Sequence, residues 1–374
     1  MGARYEDVVS IGPKALAGRY LRRFWQPVAL AQSLKPKRPF PIRILGEDFT
    51  LYRGETGTAH LVAPQCPHRG LSLSVGRVIG DSIECFYHGW TFAADGHCTA
   101  QPAEDAQFKK GVCIATYPVH EALGLVFAYL GEGDPPDFPM LNVFEQGRIE
   151  NRASYRPWPF FVQIENSVDE THFNFVHRRT KFDDIGMNKD MPVLTCEKTV
   201  YGMRRIAQRG ETVREGHFFM PNWSLSSKYE HDEGWSDHVV WRVPVEDDAH
   251  ISFTCEIFYQ NENEWAAYKK AKEAKRAKRQ SMPAALDLIK EIIAGRMHID
   301  DLPADHPDII LIQDGVACLA QPFRKDRTSE YLGASDRQVM MVRRLWNAEL
   351  KALDEGKYLT AWHVPHDLKT SRGI

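Results

Sequence analysis

Short apolar runs bounded by turn residues occupy the part of the chain that begins at residue 24. Many contain β-branched or aromatic residues, which is typical of strands, so we predict an all-β domain over 24–132. Residues 1–23 differ, because Ala15, Leu16, Tyr20 and Leu21 form a plausible apolar stripe and predict a helical segment. The predicted strands are 28–30, 42–45, 49–52, 59–62 and 125–130.

The pattern changes after residues 131–136, where closely spaced Gly and Pro residues predict a linker. Beyond it, predicted strands at 238–241 and 250–253 alternate with helices, including a strongly basic helix at 269–279. We therefore expect a second domain, 133–374, that contains both strands and helices.

Composition narrows the class of protein without assigning a function. A chain of 374 residues can form two or three domains with hydrophobic cores, and a net charge of −3 indicates no bias toward nucleic acid or membranes. No apolar run reaches the roughly 18 residues of a membrane span, and the first residues lack a signal-peptide core. Free cysteines scattered along the chain are typical of a reducing compartment, so we expect a cytoplasmic protein.

Two mixed pairs of cysteine and histidine are the strongest chemical signal. Cys66 and His68 form a Cys-x-His pair, and Cys85 and His88 form a Cys-x-x-His pair. Two thiolates and two imidazoles are the ligand set of a Rieske [2Fe–2S] cluster, which carries one electron at a time. Zinc also accepts Cys₂His₂, but zinc fingers usually begin with Cys-x-x-Cys. A buried cysteine beside a chance histidine does not explain four ligands in register.

The other cysteines help to define the kind of cluster protein. Respiratory Rieske proteins carry two further cysteines that bridge the cluster loops, and Leu71 and Tyr87 stand at those positions here. That disulfide therefore cannot form. We expect the remaining cysteines to be small buried residues. They are Cys98, Cys113, Cys196, Cys255 and Cys318.

A second candidate metal site follows about eighty residues later, in the pattern Asn166-x-x-Asp169-x-x-His172-x-x-x-x-His177. Two imidazoles and one carboxylate form the usual ligand set of oxygen-activating non-haem Fe(II). In a regular helix, His172 and His177 would lie roughly 140° apart and could not share one metal. We therefore predict a π-bulge or a break within 172–177. The simpler interpretation is an amphipathic helix with surface histidines.

The third ligand should be a carboxylate from the C-terminal part of the chain. Asp314 stands out, because it lies within the apolar run 309–319, where an unpaired carboxylate would be costly. The alternatives are typical of surface or helix-capping residues. They are Asp300, Asp301, Asp305, Asp308 and Asp326.

Together these motifs resemble the oxygenase component of a Rieske non-haem iron oxygenase, over about residues 24–346. The residues around the cluster ligands carry much of the likeness, and stretches 241–248 and 326–336 are similar to the phthalate-dioxygenase and aryl-ether-demethylase branch. Glu246 and Pro322 depart from the usual pattern. The resemblance implies an α+β fold, with an all-β Rieske domain followed by a catalytic antiparallel sheet around a long helix.

The resemblance also assigns roles to residues. It implies that Cys66, His68, Cys85 and His88 hold the cluster. It implies that Asp169 bonds His172 of its own chain and His88 of a neighbouring subunit, as a carboxylate that couples the two metals. Such a bridge requires a homotrimer, or a stacked hexamer. The implied ligands of the mononuclear Fe(II) are His172, His177 and Asp314.

The implied function is that of a terminal oxygenase. It would use O₂ and electrons from a separate NAD(P)H-dependent reductase or ferredoxin, because the chain has no dinucleotide-binding Gly-x-Gly-x-x-Gly loop. It would dihydroxylate an aromatic acid or O-demethylate an aryl methyl ether. The alternative is an electron-transfer protein without oxygenase chemistry.

The sequence indicates less about substrate recognition than about the metal ligands. An anionic substrate calls for a guanidinium, which grips a carboxylate through two hydrogen bonds. Asn174 and Phe175 are candidate pocket residues by proximity to the histidines. The basic helix at 269–279 fits a solvated surface best; docking of an acidic electron donor is the alternative. The candidate arginines for the substrate are Arg178, Arg179, Arg204, Arg205 and Arg209.

Overall fold

The computed structural model describes residues 5–105, 111–184, 187–230, 234–321, 327 and 330–368. The N-terminal segment forms two short helices, α1 (Tyr5–Val9) and α2 (Leu16–Leu21), instead of one continuous helix. Gly12 and Pro13 lie between them. Proline lacks a backbone N–H, so it cannot donate the hydrogen bond that would continue the first helix. Tyr20 and Leu21 are fully buried, as expected of the apolar stripe.

Three small antiparallel sheets follow the helices. The predicted strands at 28–30, 42–45, 49–52, 59–62 and 125–130 are confirmed, since each overlaps a strand of the first two sheets. The first sheet has the order β1 (Gln26–Leu30), β11 (Leu125–Ala128), β10 (Val119–Ala122). The second has the order β2 (Phe40–Ile44), β3 (Glu47–Arg53), β4 (Ala59–Val62), β9 (Thr116–Tyr117).

The third sheet was absent from the sequence prediction. Its strands are two or three residues long, which is too short for an alternating pattern to be recognised. Ile83 and Phe92 are fully buried beneath it, in a small core separate from the main one. Its strands are β5 (Arg77–Ile79), β6 (Ser82–Glu84), β7 (Thr91–Phe92) and β8 (Cys98–Ala100).

A seven-stranded antiparallel sheet forms most of the C-terminal part, in the order β12-β18-β17-β16-β15-β14-β13. The predicted strands at 238–241 and 250–253 are confirmed as parts of β17 and β18. Together with the all-β part, this sheet and its helices give the predicted α+β fold. The strands are β12 (Arg148–Arg156), β13 (Val193–Lys198), β14 (Gly202–Arg209), β15 (Thr212–Phe219), β16 (Trp223–Glu230), β17 (Gly234–Glu246) and β18 (Ala249–Phe258).

The helices of this part pack on the sheet through apolar side chains. Helix α8 contacts β13, β14 and α2, and its fully buried Trp346 meets the ring of Tyr20 at a centroid distance of 5.4 Å. Helix α3 lies against β17, with α7 beside it. The helices are α3 (Phe160–Val168), α4 (Lys181–Asp184), α5 (Glu262–Gln280), α6 (Ala285–Ile293), α7 (Ile309–Leu319) and α8 (Arg337–Asp354).

The basic helix is present as α5, and its basic side chains are largely exposed. It begins at a capping box formed by Asn261 and Glu264. Lys272 pairs with Glu150, and Arg279 pairs with Asp308 at 2.7 Å. These ion pairs fit the solvated-surface interpretation. Within the described part of the chain, no helix is both long and apolar enough to cross a membrane.

Candidate metal centres

Two loops with the same backbone geometry carry the first centre. In each loop the cysteine N–H donates to the carbonyl five residues later, and the cysteine carbonyl accepts from the glycine four residues later, at 2.7–3.1 Å. Gly70 and Gly89 have φ values of 74° and 71°, a left-handed conformation that glycine adopts without strain. The loops therefore present Cys66 and Cys85 in matching positions.

The four predicted ligands lie in one region, with the thiols deepest. Cys66 and Cys85 are buried, whereas His68 and His88 are partly exposed. The two imidazole centroids are 4.5 Å apart, and Trp90 stacks on His68 at 4.6 Å. Burial, with a smaller contribution from the Cys85 thiol, raises the pKa of Cys66 to about 11. The Cys66 thiol would therefore keep its proton at neutral pH unless a metal took the proton's place, and the donor set of the two loops fits a Rieske cluster.

The second centre is formed by His172, His177 and Asp314. The His172 Nε2 and His177 Nε2 atoms are 3.2 Å apart, and Oδ1 of Asp314 lies 3.7 Å from the first and 3.3 Å from the second. One ligand atom from each residue lies within 4.8 Å of the others. Two imidazoles and one carboxylate thus converge, which is a donor set that fits a mononuclear iron.

The predicted irregularity within 172–177 is confirmed. Helix α3 ends at Val168, a 3₁₀ turn covers Thr171–Asn174, and His177 lies in the turn that follows. The sequence left a π-bulge or a break open, and the structure has a break. This change of direction allows both imidazoles to approach the same point.

Of the candidate carboxylates, only Asp314 joins the histidines among the residues that the structure describes. It lies in the middle of α7, in the apolar run that singled it out. Asp308 is paired with Arg279, and Asp326 lies outside the described residues, as do 328 and 329 of the stretch 326–336. The other candidates are exposed, namely Asp300, Asp301 and Asp305.

A hydrogen-bond chain along α3 holds the Asp314 carboxylate. Asn166 Nδ2 donates to Asp314 Oδ1 at 3.4 Å, Gln163 Nε2 donates to Asn166 Oδ1 at 3.1 Å, and Trp158 Nε1 donates to Gln163 Oε1 at 2.9 Å. Sequence analysis missed Trp158 and Gln163. The three-residue spacing of Gln163 and Asn166 on one helical face was the only signal available.

The ring orientation of both histidines is set by bonds at Nδ1. His177 Nδ1 donates to Gln313 Oε1 at 3.0 Å, and His172 Nδ1 donates to the main-chain carbonyl of Asp169 at 2.6 Å. With Nδ1 occupied, Nε2 of each ring is the atom available to a metal. Gln313 was not predicted, although it precedes Asp314 in the sequence.

The Asp169 prediction is corrected in one respect. The bond from Asp169 to His172 uses the main-chain carbonyl, whereas a side-chain contact was expected. The Asp169 carboxylate accepts the backbone N–H groups of Thr171 at 2.8 Å and His172 at 3.3 Å. It thereby caps the 3₁₀ turn, whose first N–H groups lack partners within the turn. The expected bond to His88 of another subunit stays a prediction.

Electrostatics favour an anionic carboxylate at this centre. Burial alone raises the pKa of Asp314, but the His177 hydrogen bond and the two imidazoles outweigh it and lower that pKa overall. Burial lowers the pKa of His172 despite the nearby Asp314. The centre therefore pairs a carboxylate with at least one neutral imidazole, as a divalent metal requires.

A buried ion cluster anchors the loop that carries both histidines. Glu170 is fully buried and pairs with Arg205, with Arg214 at 2.6 Å and with Arg209 at 3.4 Å. Burial raises the pKa of Glu170, but Arg214, Arg205 and Arg209 outweigh it and lower the pKa to about 2. The cluster joins this loop to β14 and β15 through three cations.

Three of the five candidate substrate arginines already pair with glutamates. Arg205 and Arg209 hold Glu170, so they are not free for a substrate. Arg204 pairs with Glu215 and Glu197. Arg178 and Arg179 line a cavity of about 350 Å³ together with Phe175 and Gln313. Asn174 is buried and donates to two main-chain carbonyls, Asn188 and Asp190.

Replacing Glu170 by glutamine should destabilise the protein by about 3–5 kcal/mol, because it leaves buried guanidinium groups without their counter-charge. The measurement is the free energy of unfolding in urea. Glu197→Gln is the matched control, since Glu197 pairs with Arg204 at the surface, where such pairs contribute at most about 1 kcal/mol. Equal effects of the two substitutions would contradict the anchoring role.

Comparison with known proteins supports a Rieske domain in the first part of the chain. Residues 24–118 match the family described as the Rieske [2Fe-2S] domain. The chain is 28% identical to the 5,5'-dehydrodivanillate O-demethylase oxygenase subunit of Sphingobium sp. (strain NBRC 103272 / SYK-6), over 94% of this chain and 81% of that protein. It is 34% identical to the phenoxybenzoate dioxygenase subunit alpha of Ectopseudomonas oleovorans, over 63% of this chain and 64% of that protein.

Coverage of the relatives is uneven. A third relative, the 3-chlorobenzoate-3,4-dioxygenase oxygenase subunit of Comamonas testosteroni, is 30% identical, over 59% of this chain and 55% of that protein. The chain therefore spans somewhat more than half of two of these three relatives and most of the other.

Solved structures share the fold along nearly the whole chain. Pseudomonas putida CBB5 NdmA with caffeine superposes with a TM-score of 0.69 at 21% identity, covering 95% of this chain and 98% of that one. The terminal oxygenase of carbazole 1,9a-dioxygenase from Novosphingobium sp. KA1 has a TM-score of 0.64 at 21% identity, covering 92% and 97%.

A Rieske domain joined to a sheet domain in which two imidazoles meet a carboxylate defines a cluster-dependent oxygenase. In its Rieske domain and in its relatives, which are named as oxygenase subunits, the chain is similar to the Rieske non-haem iron oxygenases. Its cofactors are a [2Fe–2S] cluster and a mononuclear iron, and O₂ is its co-substrate. The alternative of electron transfer without oxygenase chemistry finds no support among these relatives.

Proposed function

We propose that this oxygenase either dihydroxylates an aromatic acid or O-demethylates an aryl methyl ether. The observation that carries the proposal is the convergence of His172, His177 and Asp314 within 3.7 Å in the domain that follows the Rieske loops. Relatives named as an O-demethylase and as benzoate-type dioxygenases support the two reactions.

In this proposal Cys66, His68, Cys85 and His88 hold the cluster. The iron is held by His172, His177 and Asp314. When bound, the cluster supplies one-electron transfer and the iron supplies activation of O₂.

The protein's own part is to hold the metal ligands in a fixed geometry. Gln313 and the Asp169 carbonyl keep Nε2 of each imidazole directed at the metal position. Asn166 keeps the Asp314 carboxylate beside them. Each of these contacts restricts the rotation of a ligand side chain before the metal binds, so less conformational freedom is lost on binding.

Electrons would come from a separate NAD(P)H-dependent reductase or a ferredoxin. Among the solved structures that share the fold is a complex of a carbazole 1,9a-dioxygenase oxygenase with its ferredoxin. We further propose a homotrimer, or a stacked hexamer, in which Asp169 meets His88 of the next subunit. The seven cysteines form no disulfide in the structure, which is consistent with a reducing cytoplasm.

Metal and sulfide analysis tests the cofactor assignment. The purified protein should contain about three irons and two acid-labile sulfides per chain, and dithionite should produce a Rieske-type EPR spectrum. About two irons with two sulfides, unchanged after anaerobic loading with Fe(II), would contradict the mononuclear site. Zinc without sulfide would contradict the cluster as well.

Product analysis tests the reaction. With reductase, NAD(P)H and O₂, a methoxybenzoate should yield a phenol and formaldehyde, or a substituted benzoate should yield a dihydrodiol. Release of neither product from a panel of aromatic acids and methoxyarenes, by protein with its full metal content, would overturn the proposal.

A further inference from the structure

A cavity of about 350 Å³ lies on the side of α7 that carries Gln313. An apolar cavity of about 150 Å³ can hold benzene, and ligand clefts begin at roughly 300 Å³. This cavity therefore has room for a substituted single ring. Its lining residues from α7 follow the i, i+4, i+7, i+8 spacing of one helical face, namely Ile309, Gln313, Val316 and Ala317.

The inner walls of the cavity are mostly apolar. Besides the apolar residues of α7, they include Val176, Ile299 and Leu302. Leu302 is buried and belongs to the main hydrophobic core. Burial of an aromatic ring against such walls is favourable, because it removes apolar surface from water.

The charged residues of the cavity lie at its rim. Arg178, Arg179 and Asp300 are exposed. The Arg178 guanidinium lies 4.9 Å from the centre of the exposed Phe175 ring, and Arg179 Nη1 donates to the Asp300 carbonyl at 3.3 Å. Since the charges stay at the rim, the interior suits a neutral molecule.

One hydrogen-bonding side chain reaches the interior. Gln313 lines the cavity and is only 8% exposed. Its Oε1 accepts from His177 Nδ1 at 3.0 Å, but among the described residues no group accepts from its Nε2. An amide donor that is buried without a partner is unfavourable, so a ligand with an oxygen acceptor would satisfy it.

The cavity lies behind His177, away from the metal position. Nε2 of His177 faces His172 and Asp314, whereas Nδ1, on the other side of the ring, faces Gln313. None of the three metal ligands is among the described residues that line the cavity. A molecule in the cavity would therefore not occupy the place of the reacting substrate.

Gln313 joins the cavity to the metal centre. A ligand oxygen that accepts from Nε2 would polarise the amide and make Oε1 a better acceptor for the His177 Nδ1–H group, because hydrogen bonds in a chain strengthen one another. A stronger bond at Nδ1 makes the opposite nitrogen a better metal ligand. Filling the cavity would thus change the electronic properties of a predicted iron ligand.

We propose that this cavity binds a neutral aromatic molecule with an oxygen acceptor, such as a ketone, at a site separate from the reacting position. Its occupancy is transmitted to the iron through Gln313 and His177. The inference goes beyond the proposed oxygenase reaction. Only the transmission depends on His177 as an iron ligand, whereas the binding site does not.

Calorimetric titration tests the binding site without turnover, under argon and without a reductase. Acetophenone is compared with ethylbenzene, which has a similar shape but no acceptor. Gln313→Glu keeps an oxygen for His177 and replaces the Nε2 donor, so it should weaken acetophenone binding at least about tenfold. Ethylbenzene binding should change less than about threefold. Equal changes for the two compounds would overturn the role of Gln313.

A variant that fills the cavity locates the site. Ala317→Trp places an aromatic side chain in the cavity and should remove one binding site per chain for both compounds. Ala277→Trp is the matched control, because Ala277 is exposed on α5, and it should leave both sites unchanged. The EPR spectrum of the reduced cluster shows whether each variant is folded. An unchanged number of sites in folded Ala317→Trp protein would overturn the cavity site.

Nitric oxide reports on the transmission to the iron. Acetophenone should shift the EPR spectrum of the nitric oxide adduct of iron-loaded wild-type protein, but not that of Ala317→Trp. An equal shift in both proteins would place the ligand at the reacting position and overturn the separate site. No shift in wild-type protein with a filled cavity would overturn the transmission.

This inference and the proposed function fail in different ways. Loss of the cavity site, together with product formation from an aromatic acid or a methoxyarene, would leave the proposed reaction intact. Acetophenone binding that depends on the cavity, in protein that takes up no mononuclear iron, would support the binding site. That result would overturn both the transmission and the proposed function.

Discussion

Asp314→Ala is expected to abolish oxygenase turnover while leaving the Rieske cluster in place. The side chain is the only carboxylate that meets His172 and His177 among the described residues, and two imidazoles alone hold a divalent iron weakly. Loss of residues that merely support a metal ligand already costs about 10- to 100-fold, so loss of a ligand should cost at least about 100-fold. Iron should fall from about three to about two per chain.

Two further variants distinguish loss of the ligand from loss of structure. Asp314→Asn keeps the size of the side chain and an oxygen for the Asn166 bond, but it removes the charge, so it should lose the iron as well. Asp305→Asn, at an exposed position paired with Lys278, should retain full iron and activity. The measurements are iron per chain, the reduced EPR spectrum and product formation. Full iron content in Asp314→Ala would refute the assignment.

Cys66→Ser is expected to remove the cluster and stop turnover that is driven by NAD(P)H. The Cys66 thiol is buried beside Cys85, and a hydroxyl is a poor substitute for the soft thiolate that iron–sulfur clusters require. The mononuclear iron should remain, because its predicted ligands lie on other elements. The variant should therefore contain about one iron, no acid-labile sulfide and no Rieske EPR signal.

Cys113→Ser is the control for this experiment. Cys113 is exposed, and sequence analysis placed it among the small buried cysteines, a prediction that was wrong for this residue. Its replacement should leave sulfide content, EPR spectrum and turnover unchanged. If Cys66→Ser retains two sulfides per chain, Cys66 is not a cluster ligand. Cys98, Cys255 and Cys318 are buried, as predicted.

Spacing along the chain was sufficient to predict the two cluster loops and the two histidines of the second centre. The Cys-x-His and Cys-x-x-His pairs lie on tight loops, and a short loop can bring its own residues together whatever surrounds it. The break near His172 was also predictable, because five residues of regular helix cannot direct two imidazoles to one point. Asp314 was found from the cost of a carboxylate in an apolar run.

Other features had no local signal. The strands β5 to β8 are too short to show periodicity. The chain from Trp158 through Gln163 and Asn166 to Asp314 joins α3 to α7, so its last bond depends on how two helices pack. Domain limits at 23, 132 and 133 remain predictions from composition and turn residues.

The arginines show most clearly what could not be predicted from the sequence. Arg204, Arg205, Arg209 and Arg242 are indistinguishable as sequence letters, and the first three lie nearer in sequence to the histidines. Only the register of the large sheet turns Arg242 toward Ser167, and only the packing of the 169–177 loop on β14 and β15 pairs Arg205 and Arg209 with Glu170. Which side chains of different strands meet depends on how the strands pair in the folded sheet. The spacing of residues along the chain does not encode that pairing.

The sequence by itself therefore determined the ligand types, their local spacing and the class of chemistry, because each depends on residues within one loop or one helical turn. The tertiary structure alone decided which side chains orient the metal ligands, which atom of Asp169 reaches His172, and which guanidinium has no carboxylate partner among the described residues. Those outcomes depend on contacts between elements far apart in the chain, where burial and charge pairing select one arrangement.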